Sequence, residues 1–184
     1  MIYVTLEKLY NTGYHIYYGD NFNTLMSHMG KNWKTIDNTE ISLIDIIKLT
    51  DIDFGLDCME ASLEHHKIWR KFGLWCIEPI VFLISIPSCL EAYKTSVKFI
   101  NDEVSINDLK EKQHLAACDL NTYSDGNYNV NFSSDEMAVN FSEPFFYDCA
   151  YKCFMHYPQA MEIIGIDFDY SKNKVKNKFL EIIS

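Results

Sequence analysis

The sequence predicts an all-α fold, a single-domain bundle of about seven to eight amphipathic helices over residues 1–184. Apolar residues recur three or four positions apart along most of the chain, which is the period of an amphipathic helix. Short polar joints that begin with a helix-capping residue separate these apolar stripes. Hydrophobic residues make up 48% of the chain and aromatic residues 15%, which is enough to fill one sizeable core.

Four short helices are predicted in the first third of the chain. One begins near Thr5, and a second surrounds Phe22. Ser42 begins the third, and Asp45, three residues further on, completes a variant of the capping box. Asp53 is predicted to cap the fourth helix.

A buried central helix and two amphipathic helices are predicted in the middle of the chain. The central helix covers about residues 67–85. Ser88 is predicted to cap the next helix. After a turn at residues 101–104, Ser105 is predicted to cap another helix, with Asp108 at its third position.

Residues 121–134 hold the one predicted non-helical excursion, a long loop or a weak hairpin with a turn at Asp125 and Gly126. A helix then begins at Ser134 or Ser142 and ends near His156, and a last helix covers about residues 171–183. The apolar stripes predict that eight side chains are largely buried: Leu90, Tyr93, Val97, Ile100, Leu109, Phe145, Cys149 and Cys153.

Negative charge is concentrated in two segments of the chain. Residues 37–64 hold eight acidic side chains and a single lysine, Lys48, which is a net charge of −7. Residues 119–148 hold six acidic side chains and no lysine or arginine. Such a field repels nucleic acid and attracts basic partners, and it acts mainly on association rate and specificity. We therefore expect a basic protein partner and no direct contact with nucleic acid, the alternative being that the acids serve solubility alone.

One helical face carries residues that could bind a metal ion. Cys149, Cys153 and His156 lie at positions i, i+4 and i+7, where three soft ligands could meet zinc, with Cys118 or His114 as a fourth. The aromatic residues around them favour a packed core instead, so we expect no metal and no other cofactor. The chain contains no glycine-rich phosphate loop, nucleophile elbow or HExxH sequence, and nothing in it supports assignment as an enzyme.

The cysteines and the most apolar stretch of the chain indicate the cellular compartment in which the protein is expected. The six cysteines lie mostly within apolar helical patterns, and residues 1–15 contain no cleavable signal, which favours reduced thiols in a cytoplasmic protein. The apolar run from Phe72 to Pro87 is interrupted by Glu78 and Pro79. A membrane-spanning helix needs about 20 predominantly apolar residues, so we expect no membrane span.

Several stretches of the sequence together resemble a known family. They are "VTLEKLYNTGY" from Val4, "EISLIDIIKL" from Glu40, "PSCLEAYKTSVKFINDEVSINDLKEKQ" from Pro87 and "DEMAVNFSEPFFYDCAYKCF" from Asp135. Their order resembles that of the small helical immunity proteins that accompany bacterial polymorphic and contact-dependent toxins. The resemblance is carried by a helix start at residues 42–47 and an interhelical joint at residues 102–109. It implies a helical protein that has no catalytic residues and works by binding.

Three functions are compatible with these features. The first is an immunity protein that binds and neutralises a cognate toxin through an acidic and aromatic surface. The alternatives are a phage-encoded inhibitor of a host defence nuclease and a metal-dependent enzyme that uses the face of Cys149, Cys153 and His156. Aromatic anchors within an acidic rim are typical of an interface hot spot. The predicted partner-binding residues are Asp51, Asp53, Asp57, Glu60, Glu64, Tyr123, Asp125, Tyr128, Phe132, Asp135 and Glu136.

Overall fold

The computed structural model describes residues 1–13, 19–123, 132–142 and 146–184, and within these ranges it leaves out the side chains of Leu63, Tyr123, Phe132, Ser133 and residues 146–149. The predicted all-α class is confirmed. The described residues form ten α-helices, three 3₁₀-helices and one two-stranded sheet.

The elements are labelled in chain order. The strands are β1 (Tyr3–Thr5) and β2 (Glu40–Ser42). The 3₁₀-helices cover Cys58–Ala61, Leu63–His65 and Glu78–Leu83. The α-helices are α1 (Leu6–Asn11), α2 (Gly19–His28), α3 (Leu43–Leu49), α4 (Ile52–Asp57), α5 (His66–Ile77), α6 (Pro87–Ile100), α7 (Ile106–Tyr123), α8 (Phe132–Phe141), α9 (Phe146–Ile163) and α10 (Phe168–Ile183).

The chain divides into two compact units. The first consists of Met1–His65 together with Lys178–Ser184, and the second of His66–Asn177. The expectation of one domain over residues 1–184 stays a prediction.

A short antiparallel sheet organises the first unit. β1 pairs with β2 so that Val4 lies opposite Ile41, and both side chains are buried. The sequence reading missed this sheet for two physical reasons. Each strand is three residues long, too short to display a period of two, and the pairing joins segments that are distant in the chain.

Backbone hydrogen bonds extend the ladder beyond the two strands. The N–H of Leu6 donates to the C=O of Thr39 at 3.2 Å, and the N–H of Leu43 donates to the C=O of Ile2 at 3.0 Å. The N–H of Ile2 donates to the C=O of Ile183 at 3.1 Å. Three segments that are remote in sequence are therefore joined within a few residues of β1.

Side-chain caps begin α1, near Thr5 as predicted, and α3, where the cap at Ser42 was itself predicted. The hydroxyl of Thr5 accepts from the N–H of Lys8 at 3.2 Å. The hydroxyl of Ser42 accepts from the N–H of Asp45 at 3.1 Å and donates to its carboxylate at 2.7 Å. That donated hydrogen bond lowers the pKa of Asp45 below its usual value.

The predicted cap of α4 is wrong by two residues. Asp51, not Asp53, is the cap, and its carboxylate accepts from the N–H of Phe54 at 2.7 Å. Gly55 lies in the middle of this helix, where a Cβ would collide with the Ile47 side chain. Glycine therefore permits the close approach of α3 and α4.

The second unit is a bundle in which neighbouring helices pack pairwise. α5 packs on α9, α6 packs on α7, and α8 contacts α5, α6 and α9. Trp69, Phe72, Phe141 and Tyr157 are among its largest buried side chains. Trp75 stacks on Tyr157 with 5.2 Å between ring centroids.

The predicted central helix is shorter than expected. α5 ends at Ile77, and the Glu78–Leu83 3₁₀-helix follows, with Pro79 in its first turn. Proline has no backbone N–H to donate within an α-helix, and its ring clashes with the preceding turn. Pro79 therefore explains why the α-helix stops. The expectation of one helix over residues 67–85 is wrong, because it followed the apolar pattern and not the proline.

The predicted cap of α6 is wrong, and the predicted cap of α7 is confirmed. The cap of α6 is Ile86, with Pro87 in the first turn, so Ser88 lies inside the helix and is not its cap. Ser105 caps α7 as predicted, because its hydroxyl accepts from the N–H of Asp108 at 3.2 Å. The carboxylate of Asp108 accepts in return from the N–H of Ser105 at 2.8 Å, which completes a capping box.

The predicted excursion at residues 121–134 is helical at both ends. α7 continues to Tyr123 and α8 begins at Phe132, while residues 124–131, with the predicted turn, lie outside the described residues. Ser142 follows the last residue of α8, and its hydroxyl donates to the C=O of Ala138 at 2.7 Å. Two helices, α8 and α9, thus replace the single helix expected to end near His156, and α9 continues through Pro158.

The predicted core positions are only partly buried. Ile100, Leu109 and Cys153 are buried. Along α6 the remaining positions of the stripe are half-buried, while Ala92 and Ser96 are buried. The predicted stripe is therefore displaced on the helix surface. The half-buried residues are Leu90, Tyr93 and Val97, and Phe145 and the Cys149 side chain lie outside the described residues.

A buried carboxylate joins two parts of the second unit. Asp135, near the start of α8, is 2% exposed. Its Oδ1 accepts from the N–H groups of Ser85 and Ile86, both at 2.9 Å, and its Oδ2 accepts from the Ser85 hydroxyl at 2.7 Å. These hydrogen bonds hold the segment that leads into α6 against α8.

Replacing Asp135 with alanine should lower the free energy of unfolding by about 1–3 kcal/mol, because the buried N–H of Ile86 and the N–H and hydroxyl of Ser85 lose their acceptor. Urea denaturation followed by circular dichroism measures the loss. Glu136→Ala is the matched control, since Glu136 is only partly buried, and we expect a change within about 0.5 kcal/mol. Equal losses in the two variants would contradict a structural role for the Asp135 carboxylate.

Candidate partner-binding surface

The acidic segment of residues 37–64 lies entirely within the first unit. Six of its eight acids are exposed: Asp37, Glu40, Asp45, Asp51, Asp53 and Glu64. The other two, Asp57 and Glu60, are buried and half-buried respectively. These six exposed residues of the first unit are together called the acidic surface.

Two of the exposed acids are neutralised by lysines from outside the segment. Lys31 lies 2.6 Å from Asp37, and Lys8 lies 2.9 Å from Glu64. The hydrogen bond from Lys31, together with those from Thr39, lowers the pKa of Asp37 to about 2. Surface ion pairs of this kind contribute little stability, so their main consequence is that both carboxylates stay ionised.

An open cleft of about 360 Å³ lies beside the Lys8 and Glu64 ion pair. Its walls come from α1 and from the two 3₁₀-helices that follow α4, with Asn11 and Thr12 on one side and Glu60 on the other. Polar and charged side chains predominate in this lining. The atoms that these side chains expose in the cleft are mostly apolar, so the lining does not by itself select a polar or an apolar ligand.

A second open groove, of about 380 Å³, follows β2 and is called the β2 groove here. His28 and Met29, at the end of α2, lie along it, and Glu40 and Asp45 supply two carboxylates. The sequence reading did not predict this groove. It depends on the pairing of β2 with β1, which was not recognised.

Asp51 and Asp53 lie at the start of α4 and are both exposed. The carboxylate of Asp51 caps the helix and also accepts from the side-chain amide of Asn21 at 3.0 Å. Asp53 forms no ion pair or side-chain hydrogen bond within the described residues. Of the two, Asp53 is thus the acid whose charge can be changed without removing a structural contact.

The structure buries two of the predicted partner-binding acids, and their role in binding stays a prediction. Asp57 is 5% exposed. Asp135, as described above, is the buried acceptor for Ser85 and Ile86. Both residues are buried, and the hydrogen-bond partners of Asp135 lie far from it in the chain.

The remaining predicted residues belong to the second acidic segment. The side chains of Tyr123 and Phe132, and the whole of Asp125 and Tyr128, lie outside the described residues, so their role in binding stays a prediction. Glu136 lies near His156, with 3.9 Å between carboxylate oxygen and ring nitrogen.

No group of three potential metal ligands comes together in the described part of the chain. Cys153 is buried, His156 is directed toward Glu136, and the Cys149 side chain lies outside the described residues. Cys118 and His114, the proposed fourth ligands, instead contact each other along α7 at 3.7 Å.

An aromatic cluster on the first unit was missed by the sequence reading. Trp33 packs against Phe22 with 5.3 Å between ring centroids and meets Tyr10 edge-on at 6.2 Å. Phe22 is buried, while Trp33 is 47% exposed and Tyr10 is 39% exposed. Trp33 lies in the connection between α2 and β2, where no helical period marks it. The feature of the sequence that could have identified it is a single tryptophan within a polar stretch.

No helix in the described ranges is long and apolar enough to cross a membrane. Comparison of the chain with protein-family models, with curated proteins and with solved structures found no match. Function has to be inferred from the chain's own residues.

Replacing Lys8 with methionine should raise the pKa of Glu64 toward its ordinary value of 4.5, because the hydrogen bond from Lys8 is the main cause of its lowering. Since the folded-state pKa is the lower one, Glu64 stabilises the folded state above pH 4.5 and loses that contribution as the pH falls through its folded-state pKa. Carboxyl NMR titration of both proteins measures the shift. An unchanged pKa would show that the ion pair does not persist in solution.

Proposed function

We propose that this protein is an immunity protein that binds a basic protein toxin and neutralises it. The acidic surface of the first unit carries the proposal, because six of the eight acids in residues 37–64 are exposed there. Exposed negative charge of this kind favours encounter with a basic partner and disfavours encounter with nucleic acid. The helical fold and the family resemblance of the sequence support the same reading.

The aromatic cluster supplies the second component that a protein interface needs. Charges at an interface rim act mainly on association, whereas buried aromatic anchors slow dissociation. Trp33 and Tyr10 are partly exposed and rest on the buried ring of Phe22, so they offer apolar area with little loss of side-chain freedom. The connection that carries Trp33 also carries Asp37, which places an aromatic anchor and an acid in one short segment.

A genetic experiment tests the proposal. The gene immediately upstream of this one is expressed in a susceptible bacterium with and without this protein. The proposal requires that its product inhibits growth alone, that co-expression restores growth, and that the two purified proteins form a complex. Toxicity that co-expression leaves unchanged would contradict the proposal. If the neighbouring genes instead encode phage structural proteins, a host nuclease becomes the partner to examine.

Reversing two charges on the acidic surface, Asp53→Lys together with Glu64→Lys, should slow association with the neutralised toxin by about tenfold at low salt and flatten its salt dependence. Both side chains are exposed, so the fold should be retained. Stopped-flow or surface-plasmon measurements at several ionic strengths give the association rate constants.

The matched control is Glu103→Lys together with Glu111→Lys in the second unit. It changes the net charge by the same amount and also includes one acid paired with a lysine, since Glu111 lies 2.9 Å from Lys112. The control should leave most of the association rate intact. If both double variants slowed association equally, net charge rather than the acidic surface would be responsible.

A further inference from the structure

The β2 groove lies on the outer face of the two-stranded sheet. Tyr3 pairs with Ser42, and directly opposed side chains share a face of the sheet, as do residues two positions apart, such as Glu40 and Ser42. Val4 and Ile41 lie on the other face, where both are buried. Tyr3 and Glu40 are exposed and line the groove. The pairing of the two strands therefore places an aromatic ring and a carboxylate on one accessible face.

Two helices complete the lining of this groove. Asp45, in the first turn of α3, is exposed and supplies a second carboxylate. α2 ends at His28, and both His28 and Met29 lie along the groove. The C=O groups of these two residues accept no hydrogen bond from the described part of the chain, and the C-terminal end of a helix carries partial negative charge. Two carboxylates and a helix end thus favour a cation in the groove.

The chain itself supplies little positive charge to this groove. Its described lining contains no lysine or arginine. Lys48 lies 3.4 Å from Asp45, but 71% of the lysine side chain is exposed, and an exposed ion pair of this kind is weak. Glu40 forms no ion pair or side-chain hydrogen bond within the described residues. In the cleft beside α1, by contrast, the ammonium of Lys8 already lies 2.9 Å from Glu64. Of the two openings, the β2 groove is therefore the one with a carboxylate left for a cation from outside.

The lining favours a guanidinium group over a compact ammonium group. A guanidinium is planar, presents five N–H donors in a rigid fork and stacks on aromatic rings. It can therefore donate to carboxylates while its plane lies on a tyrosine, and Glu40, Asp45 and Tyr3 supply these partners. A volume of about 380 Å³ admits one side chain of this size.

We propose that the β2 groove binds an arginine side chain of the basic partner. The guanidinium donates to the carboxylate of Glu40 and lies against the ring of Tyr3. Asp45 supplies a second acceptor through Oδ1, the oxygen nearer Lys48, because its Oδ2 already accepts from the Ser42 hydroxyl at 2.7 Å. This assignment rests on the proposed function and specifies which kind of residue of the basic partner is held.

The test uses the full chain and a blocked glycine-arginine-glycine tripeptide as the probe. A single side chain is expected to bind with a dissociation constant on the order of 1 mM, which nitrogen-15 NMR titration measures directly. The amide signals of Tyr3, His28 and Glu40 should shift, while signals of the second unit, such as that of Ala92, should not. The same tripeptide with citrulline, which has the shape of arginine without its charge, should bind at least about fivefold more weakly.

Free arginine distinguishes a protein partner from a small molecule. Its own carboxylate is repelled by Glu40 and Asp45, so free arginine should bind more weakly than the blocked tripeptide. Tighter binding of free arginine would identify a small-molecule site and overturn the assignment to a protein partner.

One substitution separates the Glu40 carboxylate from the general negative charge of the first unit. Glu40→Gln keeps the length of the side chain and removes its charge, and we expect it to bind the arginine tripeptide at least about fivefold more weakly. Glu7→Gln is the matched control, because Glu7 is exposed in the same unit but does not line the groove. We expect this control to change the affinity by less than about twofold, since salt at about 0.1 M screens long-range charge. Unchanged amide signals of the buried Val4 and Ile41 show that each variant is folded.

Equal affinities of the unmodified protein for the arginine and citrulline tripeptides would overturn the proposal, and this result does not depend on any variant. So would signal shifts confined to the cleft beside Lys8 and Glu64, or equal effects of Glu40→Gln and Glu7→Gln. Failure here is distinguishable from failure of the proposed function. A protein that neutralises the toxin but does not prefer the arginine tripeptide remains an immunity protein that binds in another way.

Discussion

The first unit depends on the antiparallel ladder between residues 2–6 and 39–43. This ladder joins the start of the chain to β2, and through the N–H of Ile2 it also joins the chain's last turn at Ile183. Its inner side chains, Val4 and Ile41, are buried. Because α1 and α3 begin directly at the ends of the two strands, the ladder also determines where these helices start. The β2 groove and the connection that carries Trp33 follow from the same pairing.

The acidic residues of this chain have two different roles, one structural and one at the exposed surface. Those at helix starts, such as Ser42-bonded Asp45 and Ser105-bonded Asp108, stabilise local structure by accepting hydrogen bonds. Asp135 is buried and serves as a connection within the second unit. Asp53 and Glu40 are exposed and form no ion pair or side-chain hydrogen bond in the described part of the chain, so their charge acts outward. A net charge of −10 is thus a poor guide to function until the structural acids have been separated from the exposed ones.

Helix interruptions illustrate where reading the sequence was sufficient and where it was not. Pro79 ends α5 for a local reason, the missing backbone N–H, and that signal was present but outweighed by an apolar pattern. Pro158 has the same chemistry but lies inside α9 without ending it. The difference cannot be read from the proline itself. It depends on whether packing on neighbouring helices outweighs the lost hydrogen bond, and α9 packs extensively on α5.

The sequence by itself determined the all-α class and the capping boxes at Ser42 and Ser105, because a cap bonds to a residue only three positions away and needs no tertiary partner. It also showed that residues 37–64 are strongly acidic. Only the tertiary structure decided which acids are buried, that two three-residue strands pair, and that Trp33 packs beside Tyr10. Each of these outcomes joins residues far apart in the chain, and the free energy that selects them comes from burial and backbone pairing between those residues, which no local pattern records.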